Sequence, residues 1–254
     1  MNTYSLIWSF RNRRDCILKS IRSAHLSCPE NIPFILVDAN SNKYTVESIN
    51  KLASGLDRDI KVCGSFKRTS LVQAWNLGVM LSDSSHCIFA SSDVVFKKTG
   101  WFDILKHETG MGEDYVLLEN HSVFCISKRL VSAIGWFDEG FGNGPHFDVD
   151  YMVRSSEANI PVKGTSSMGT YSHADLEESK IRGLNDMEDR LPMNKLDNEK
   201  YFKSKWKSDW TGWEGYLGQR DLPHPPTHIS QVERQKEEIN WHPSYSKEIT
   251  EKYS

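Results

Sequence analysis

The feature that most constrains the fold is a series of short apolar runs, each ending at a polar residue and followed by a segment with helical spacing. The runs Tyr4–Phe10, Phe34–Val37 and His86–Ala90 have the length and composition of buried strands. Apolar residues over Arg13–Leu26 and Leu71–Leu81 instead recur every three or four positions, as on one face of a helix. Strands that alternate with helices predict βαβ units and a largely parallel sheet.

The polar residues at the ends of these runs are candidates for a binding site. Right-handed crossovers place the carboxyl ends of parallel strands at one edge, so Phe10, Asp38 and Asp93 are expected there together. Open α/β sheets bind their ligands at this edge. Asp148 and His173, further along the chain, supply more candidate bases and metal ligands. Together these residues predict a site that handles phosphate and metal.

The rest of the chain follows the same patterns less regularly. A strand pair is predicted over Val116–Leu118 and Val123–Ile126, and helices over Lys128–Ile134 and Val149–Glu157. A glycine-rich loop, Gly135–Gly144, separates these two helices. The other predicted elements are a helix over Thr45–Ala53 and short strands over Ile60–Cys63, near Val162 and near Tyr171.

Composition limits the classes of protein that fit. The chain of 254 residues is long enough for one large core or for a domain with an appendage, and its net charge of −3 gives no general attraction to nucleic acid. Its five cysteines form no Cys-x-x-Cys pair, which favours reduced thiols in the cytosol over a disulfide framework or a zinc site. We see neither a signal peptide nor the run of about 18 apolar residues that a membrane span needs. A soluble, cytoplasmic protein is therefore expected.

In their order and spacing, the motifs resemble those of family 2-type glycosyltransferases over roughly residues 4–207. Ser5–Arg13 is similar to the opening strand and loop of that family, and Phe34–Ser41 to its second strand with a nucleobase-binding aspartate. The further matches are Arg68 with Ala74–Gly78 for an Arg…Ala-x-Asn-x-Gly helix, Ser91-Ser92-Asp93 for the Asp-x-Asp motif, Gly135–Phe141 for the acceptor loop, Phe147–Arg154 for the Glu-Asp-x-Asp helix, His173 for a late metal ligand, and Tyr201–Trp206 for the closing Tyr-Phe-x-x-Lys-Trp.

The resemblance implies a GT-A fold, an α/β Rossmann-like architecture with a mostly parallel sheet flanked by helices. It implies a catalytic domain over residues 1–184, with a nucleotide-sugar half (1–98) and an acceptor half (99–184), before a polar helical or irregular extension (185–254). It also implies roles for individual residues. These are Asp148 as catalytic base; Phe10, Arg11, Asp38, Arg68 and Ser92 for the nucleotide sugar; Asp93 and His173 for Mn²⁺ or Mg²⁺; and Trp136, Asp138 and Asp150 for the acceptor.

Two positions depart from the family pattern. The Asp-x-Asp motif is reduced to Ser91-Ser92-Asp93, which leaves one carboxylate for the metal. The glutamate that ordinarily precedes the base is Phe147, which changes how Asp148 is oriented.

The chemistry of sugar transfer explains why such residues are needed. Transfer from a nucleotide sugar leaves a diphosphate on which negative charge develops, and a divalent ion held by a carboxylate and an imidazole neutralises it. The acceptor hydroxyl must also lose a proton as it attacks, and a carboxylate such as Asp148 can accept it.

Each of these residues also has a purely structural interpretation. Asp93 and Asp38 are also typical of turns, Asp148 of a helix N-cap, His173 of a structural or surface histidine, and Trp136 of a core aromatic residue.

The sequence predicts a metal-dependent, inverting glycosyltransferase that moves a sugar, most simply from a UDP-linked donor, to a glycan hydroxyl. Inversion follows from one candidate base without an obvious nucleophile. A second hypothesis is a viral-type enzyme in the host cytoplasm that glycosylates a hydroxylated DNA base, using Arg11–Arg14 and the cluster Trp206, Trp210 and Trp213 for stacking. A third is a non-catalytic nucleotide-sugar-binding module, which the reduced Ser91-Ser92-Asp93 motif suggests.

Overall fold

In a computed structural model of the protein, a seven-stranded sheet lies between two layers of helices. The structure describes residues 2–64, 70–97, 100–118, 120–141, 146–165, 171–173 and 195–206. Its strands are β1 (Tyr4–Phe10), β2 (Phe34–Asp38), β3 (Ile60–Gly64), β4 (His86–Ala90), β5 (Val94–Phe96), β6 (Tyr115–Leu118), β7 (Asn120–Ser127), β8 (Lys163–Thr165) and β9 (Tyr171–His173). Its helices are α1 (Arg14–His25), α2 (Lys43–Gly55), α3 (Leu71–Leu81), α4 (Trp101–Gly110), α5 (Lys128–Ile134), α6 (Phe147–Glu157) and α7 (Lys195–Trp206), with a 3₁₀ turn at Glu139–Phe141.

The large sheet has the strand order β3-β2-β1-β4-β7-β6-β8, and β5 and β9 form a separate two-stranded ribbon. Strands β1 to β4 pair in parallel, as predicted. The sheet becomes mixed where β7 pairs antiparallel with both β4 and β6. The register aligns Phe10 with Asp38 and Trp8 with Ala90, so β1, β2 and β4 end at one edge. The predicted meeting of these strand ends is confirmed.

Side chains on alternate faces of the sheet enter two separate cores. On β1, Leu6 and Trp8 pack with α1, α2 and α4, whereas Ile7 faces the layer of α3, α5, α6 and α7. The second layer approaches the sheet closely at Gly78 of α3, where an added Cβ would lie 2.4 Å from Ile7 Cγ2. This close approach lets α3 pack directly against β1.

One helix is absent from the sequence predictions, and the structure adds detail to two further segments. Helix α4 was not predicted, although Trp101, Phe102 and Leu105 form its buried face. Val94–Phe96 leaves the main sheet to pair with Tyr171–His173 as β5 and β9. The extension predicted from residue 185 includes α7, in which Phe202 and Trp206 are buried in the same core as residues of α3, α5 and α6. The proposed boundary at 184 itself lies outside the described residues.

Among the described helices, none combines the length and apolar character needed to cross a bilayer.

Four of the five cysteines, Cys28, Cys63, Cys87 and Cys125, are buried. Burial raises the pKa of the Cys87 thiol to about 11, so this side chain is a protonated core residue at neutral pH.

Candidate active site

The loops after β1 and β2 hold each other through hydrogen bonds. The Asn12 backbone N–H donates to Ser41 Oγ at 2.7 Å, and Asn12 Oδ1 accepts from the Asn42 N–H at 2.9 Å. Asp38, which is fully buried, accepts the Ser41 N–H at 2.7 Å. Asn12 and Arg13 both have positive φ, of 52° and 47°. Mutual support of the two loops fixes this uncommon backbone conformation at the strand ends.

The residues predicted to bind the nucleotide sugar lie in or next to these loops, with one exception. The Phe10 ring is buried, and the Phe10 carbonyl accepts the Ala39 N–H at 2.9 Å. Arg11 is partly buried in the loop after β1, and Ser92 lies in the turn after β4. Arg68 lies outside the described residues. The binding roles of all five residues stay predictions.

Asp93 lies at the mouth of β4 with its side chain 25% exposed, within reach of a ligand from solvent. Ser91 and Val94 close the turn around it, since the Val94 N–H donates to the Ser91 carbonyl at 3.1 Å. The Arg13 guanidinium lies 4.0 Å from Asp93 Oδ2. This arrangement places a cation and an anion beside each other where the strands end.

The β5–β9 ribbon pairs Val94 with His173, so the backbone of His173 lies beside that of Asp93. The His173 side chain is outside what the structure describes. Within the described part of the chain, no three histidine, cysteine or acidic side chains are grouped closely enough to hold a metal ion. A carboxylate with one further protein ligand nevertheless fits Mg²⁺ or Mn²⁺, because such ions commonly take remaining ligands from substrate phosphates and water. The metal role of both residues stays a prediction.

Asp148 lies in the first turn of α6, with 8% of the residue exposed. The predicted N-cap alternative is wrong, because the helix begins at Phe147 and its N-cap is His146, with φ 85°. Phe147, the first residue of the helix, packs on Trp75 with ring centroids 5.1 Å apart. Asp148 Oδ1 accepts the Val149 N–H at 2.9 Å, while Oδ2 lies 3.7 Å from His121 Nδ1.

Two consecutive residues of β7 contact Asp148, the candidate base, and the turn that carries Asp93, the candidate metal ligand. His121 faces Asp148, and the next residue, Ser122, accepts the Ser91 N–H through its carbonyl at 2.8 Å. Ser91 begins the turn that carries Asp93. Strand β7 pairs regularly with β4 from Val123 to Ser127, and its register with β6 shifts between Leu117 and Leu118, so His121 and Ser122 lie at the irregular end of β7, between the turn and the first part of α6. The sequence gives no signal for this role of β7.

The predicted acceptor residues Asp138 and Asp150 join a buried network of two acids and two bases. Lys205 Nζ lies 2.7 Å from Asp138 Oδ2 and 2.7 Å from Asp150 Oδ1. Arg154 Nε donates to Asp150 Oδ2 at 3.0 Å, and Trp206 Nε1 donates to Oδ1 at 2.9 Å. Asp150 and Arg154 are both fully buried. The network attaches α7 to the domain, and an acceptor role for its two aspartates stays a prediction.

Opposing effects act on the pKa of Asp138. Burial alone would raise it, but the Lys205 ammonium and a hydrogen bond from the Gly140 N–H hold the pKa below its ordinary value. Asp138 is therefore charged at neutral pH and serves as the anchor for Lys205.

The loop that carries Trp136 and Asp138 is held by Asn76. The Asn76 side chain accepts the Phe137 N–H at 3.0 Å and donates to the Phe137 carbonyl at 2.9 Å. Trp136 is half-buried, and its carbonyl accepts from Arg154 Nη1 at 2.8 Å. The asparagine of the Ala74–Gly78 motif thus positions the predicted acceptor loop, and the acceptor role of Trp136 itself is not tested by these contacts.

Comparison with known proteins identifies the family. The sequence model described as "Glycosyl transferase family 2" matches residues 5–142, more than half of the chain. The chain belongs to glycosyl transferase family 2. A search of curated proteins by sequence finds no match.

Solved structures similar to this family 2 chain are glycosyltransferases with GT-A folds. GalNAc-T7, solved with UDP, GalNAc and Mn²⁺, has a TM-score of 0.63 at 14% identity, over 94% of this chain and 54% of its own. S. aureus TarS 1–349 has a TM-score of 0.59 at 13% identity, and the match covers 87% of this chain and 76% of TarS 1–349. The mannosyltransferase PcManGT from Pyrobaculum calidifontis was solved with GDP-Man and Mn²⁺. It has a TM-score of 0.59 at 10% identity, and the match covers 65% of this chain and 55% of PcManGT. This chain thus spans about half the length of two of these three, and at such identities the likeness shows the fold alone.

Proposed function

We propose that the protein is a metal-dependent, inverting glycosyltransferase that moves a sugar from a UDP-linked donor to a hydroxyl on a glycan. The observation that carries this proposal is the pair of contacts from adjacent residues of β7, His121 with Asp148 and Ser122 with Ser91, which places the candidate base and the turn of the candidate metal ligand beside the same end of that strand. Transfer needs both groups, one for the attacking hydroxyl and one for the leaving diphosphate. Membership of glycosyl transferase family 2 supports the reaction class.

The donor lies, in this proposal, along the strand ends of β1, β2 and β4. Asp38 and the loop of Asn12 and Arg13 form the base and ribose end, and Ser92 and Asp93 the diphosphate end. Asp93 and His173 are the residues that hold the ion, which supplies charge stabilisation to the departing diphosphate when it is bound. Of the solved neighbours, GalNAc-T7 was solved with UDP and TarS 1–349 with UDP-GlcNAc, whereas PcManGT was solved with GDP-Man, so the choice of UDP is the part of this proposal that a donor screen must decide.

Asp148 accepts the proton of the acceptor hydroxyl in the proposed mechanism. Its carboxylate is mostly buried, and Oδ1 is held by the Val149 N–H. Each carboxylate oxygen has two lone pairs, so both oxygens keep capacity to accept a proton. Within the described ranges we assign one base and no carboxylate nucleophile, and a single base favours direct displacement and therefore inversion of the anomeric centre.

A glycan acceptor is favoured over a hydroxylated DNA base by one observation. Trp206, one of three tryptophans on which base stacking would depend, is 1% exposed and donates to Asp150. It is a core residue of α7 and does not offer a face to an extruded base. Trp210 and Trp213 lie outside the described residues.

The proposal is tested by a screen of nucleotide sugars. We expect UDP-linked sugars with Mn²⁺ to raise the unfolding temperature more than GDP- or CMP-linked sugars, and donor hydrolysis to require the ion. Hydrolysis of UDP-sugar at the same rate after complete removal of divalent ions would contradict the metal-dependent part. Binding of UDP-sugar without transfer or hydrolysis under any condition would favour the non-catalytic module.

A further inference from the structure

His121, near the start of β7, has a buried ring set between an aromatic hydroxyl and the candidate base. Its side chain is 9% exposed. Nε2 lies 2.7 Å from the Tyr115 hydroxyl, and Nδ1 lies 3.7 Å from Asp148 Oδ2. The ring also contacts Phe124 edge-on, with centroids 5.4 Å apart. These contacts on both sides give the imidazole little freedom to rotate.

We infer that His121 is a positioning residue for Asp148, holding the carboxylate in the orientation from which it accepts the acceptor's proton. The inference rests on the proposed function, because it assigns a role to His121 through the proposed base. It does not follow from the family resemblance, in which His121 has no part.

The geometry gives each oxygen of Asp148 its own neighbour. Oδ1 accepts the backbone N–H of the next residue, and Oδ2 faces Nδ1 of His121. A separation of 3.7 Å is longer than a hydrogen bond, but catalytic contacts of this kind are commonly long before substrate binds and shorten in the complex. Without the imidazole, the carboxylate would be held through one oxygen only and could turn about its χ2 bond.

The Tyr115 hydroxyl lies where it can donate to Nε2 of His121, and this direction of donation leaves the ring proton on the nitrogen that faces Asp148. When this hydroxyl donates to Nε2, the single proton of a neutral imidazole lies on Nδ1, directed toward the carboxylate. Burial lowers the pKa of His121 and the charge of Asp148 opposes that effect. The titratable groups that face the ring from the described elements are Tyr115 on β6 and Asp148 on α6. A neutral ring can orient the carboxylate through its N–H without forming an ion pair with it.

Four variants test the inference through UDP-GlcNAc hydrolysis with Mn²⁺. His121→Phe keeps the ring volume and the aromatic contacts but removes the N–H, and we expect kcat to fall about 10- to 100-fold with KM for the donor nearly unchanged. His121→Gln retains an N–H donor and should recover part of the loss. His107→Phe, on the exposed surface of α4, is the control and should behave as the parent. In the Asp148→Asn background, His121→Phe should cause no further loss, because it acts through that carboxylate.

The outcomes separate this inference from the proposed function. If Asp148→Asn lowers turnover and His121→Phe does not, the positioning role is wrong and the base assignment stands. If Asp148→Asn leaves turnover unchanged, the base assignment itself fails. Equal and additive losses from both substitutions would assign His121 a structural role and overturn the inference.

A second measurement does not depend on activity or on the right donor. In protein labelled with ¹⁵N-histidine, the ring signal lost in His121→Phe identifies His121. We expect the parent to show a neutral ring protonated at Nδ1 and the signal to shift in both Asp148→Asn and Tyr115→Phe. A ring signal that is the same in the parent and in Asp148→Asn would overturn the inference even in a protein that turns over no donor.

Discussion

At the scale of single residues, Asp148 offers the sharpest test of the chemistry. We predict that Asp148→Asn lowers kcat by about 10²-fold or more, because the amide cannot accept a proton from the attacking hydroxyl. The near-isosteric side chain still accepts the Val149 N–H through its amide oxygen, so folding and donor affinity should change little. Steady-state kinetics and donor calorimetry measure the two effects separately. Near-parental kcat with intact folding would remove Asp148 from the mechanism.

Asp93 tests the metal assignment in the same way. We predict that Asp93→Ala abolishes the increase in UDP affinity that Mn²⁺ causes, because the substitution removes the carboxylate at the mouth of β4. The side chain is part-exposed, so the unfolding temperature should stay close to that of the parent. Calorimetric titration of UDP with and without Mn²⁺ gives the measurement. Asp103→Ala, on the exposed side of α4, is the matched control. Unchanged Mn²⁺ dependence in Asp93→Ala would show that the ion binds elsewhere.

The residues of the candidate site differ in how far the sequence could reveal them. Asp38 and Asp93 follow apolar runs, and a strand end can be recognised from its local composition alone. His121 gives no such signal, because its role depends on α6 crossing β7 at one position. Lys205 belongs to a basic cluster that resembles a solvated helix face, yet it is 7% exposed and contacts two buried carboxylates. The sequence of a mostly polar helix does not show which of its charged residues pairs with an oppositely charged residue of a distant element in the core.

At the scale of elements, strands β1 and β4 and helices α3 and α5 have the bounds predicted from the sequence. Their apolar periodicity is strong and their ends are marked by polar residues. Helix α4 was missed although Trp101, Phe102 and Leu105 fall on one face, because it begins after Gly100, which has no side chain to cap the helix and so gives no start signal. Helix α7 falls in the predicted polar extension because most of its residues are polar; Phe202 and Trp206 are its buried apolar side chains among residues 198–206, where burial is described.

Helix α7 supports a prediction about the attachment of this element. We predict that Lys205→Met destabilises the fold by about 3–5 kcal/mol, because it leaves Asp138 and Asp150 buried with one cation fewer. Urea unfolding followed by tryptophan fluorescence measures the change. Lys203→Met, on the same helix and paired with the part-exposed Glu199, is the control and should cost less than about 1 kcal/mol. Equal effects of the two substitutions would show that the Lys205 network adds nothing beyond a surface ion pair.

At the scale of the whole molecule, the acid–base network joins parts of the chain that are far apart in sequence. Asp138 and Asp150 lie on either side of the start of α6, and Lys205 and Trp206 bring the end of α7 to them. The same contacts hold α7 against α6, the helix that carries the candidate base Asp148. Stability and the geometry of the site are therefore coupled through α7.

This coupling predicts how the molecule responds to acid. The pKa of Asp138 is lowered in the folded state, so its contribution to stability is present above the ordinary value of 3.8 and is lost as pH falls through the lower folded value. We predict that the free energy of unfolding decreases as pH falls below about 4, and that Asp138→Asn shows a smaller decrease over the same range. Urea midpoints at pH 6 and at pH 3 in both proteins measure this difference. Asp103→Asn should follow the parent, and an Asp138→Asn variant as acid-sensitive as the parent would show that other carboxylates control the acid response.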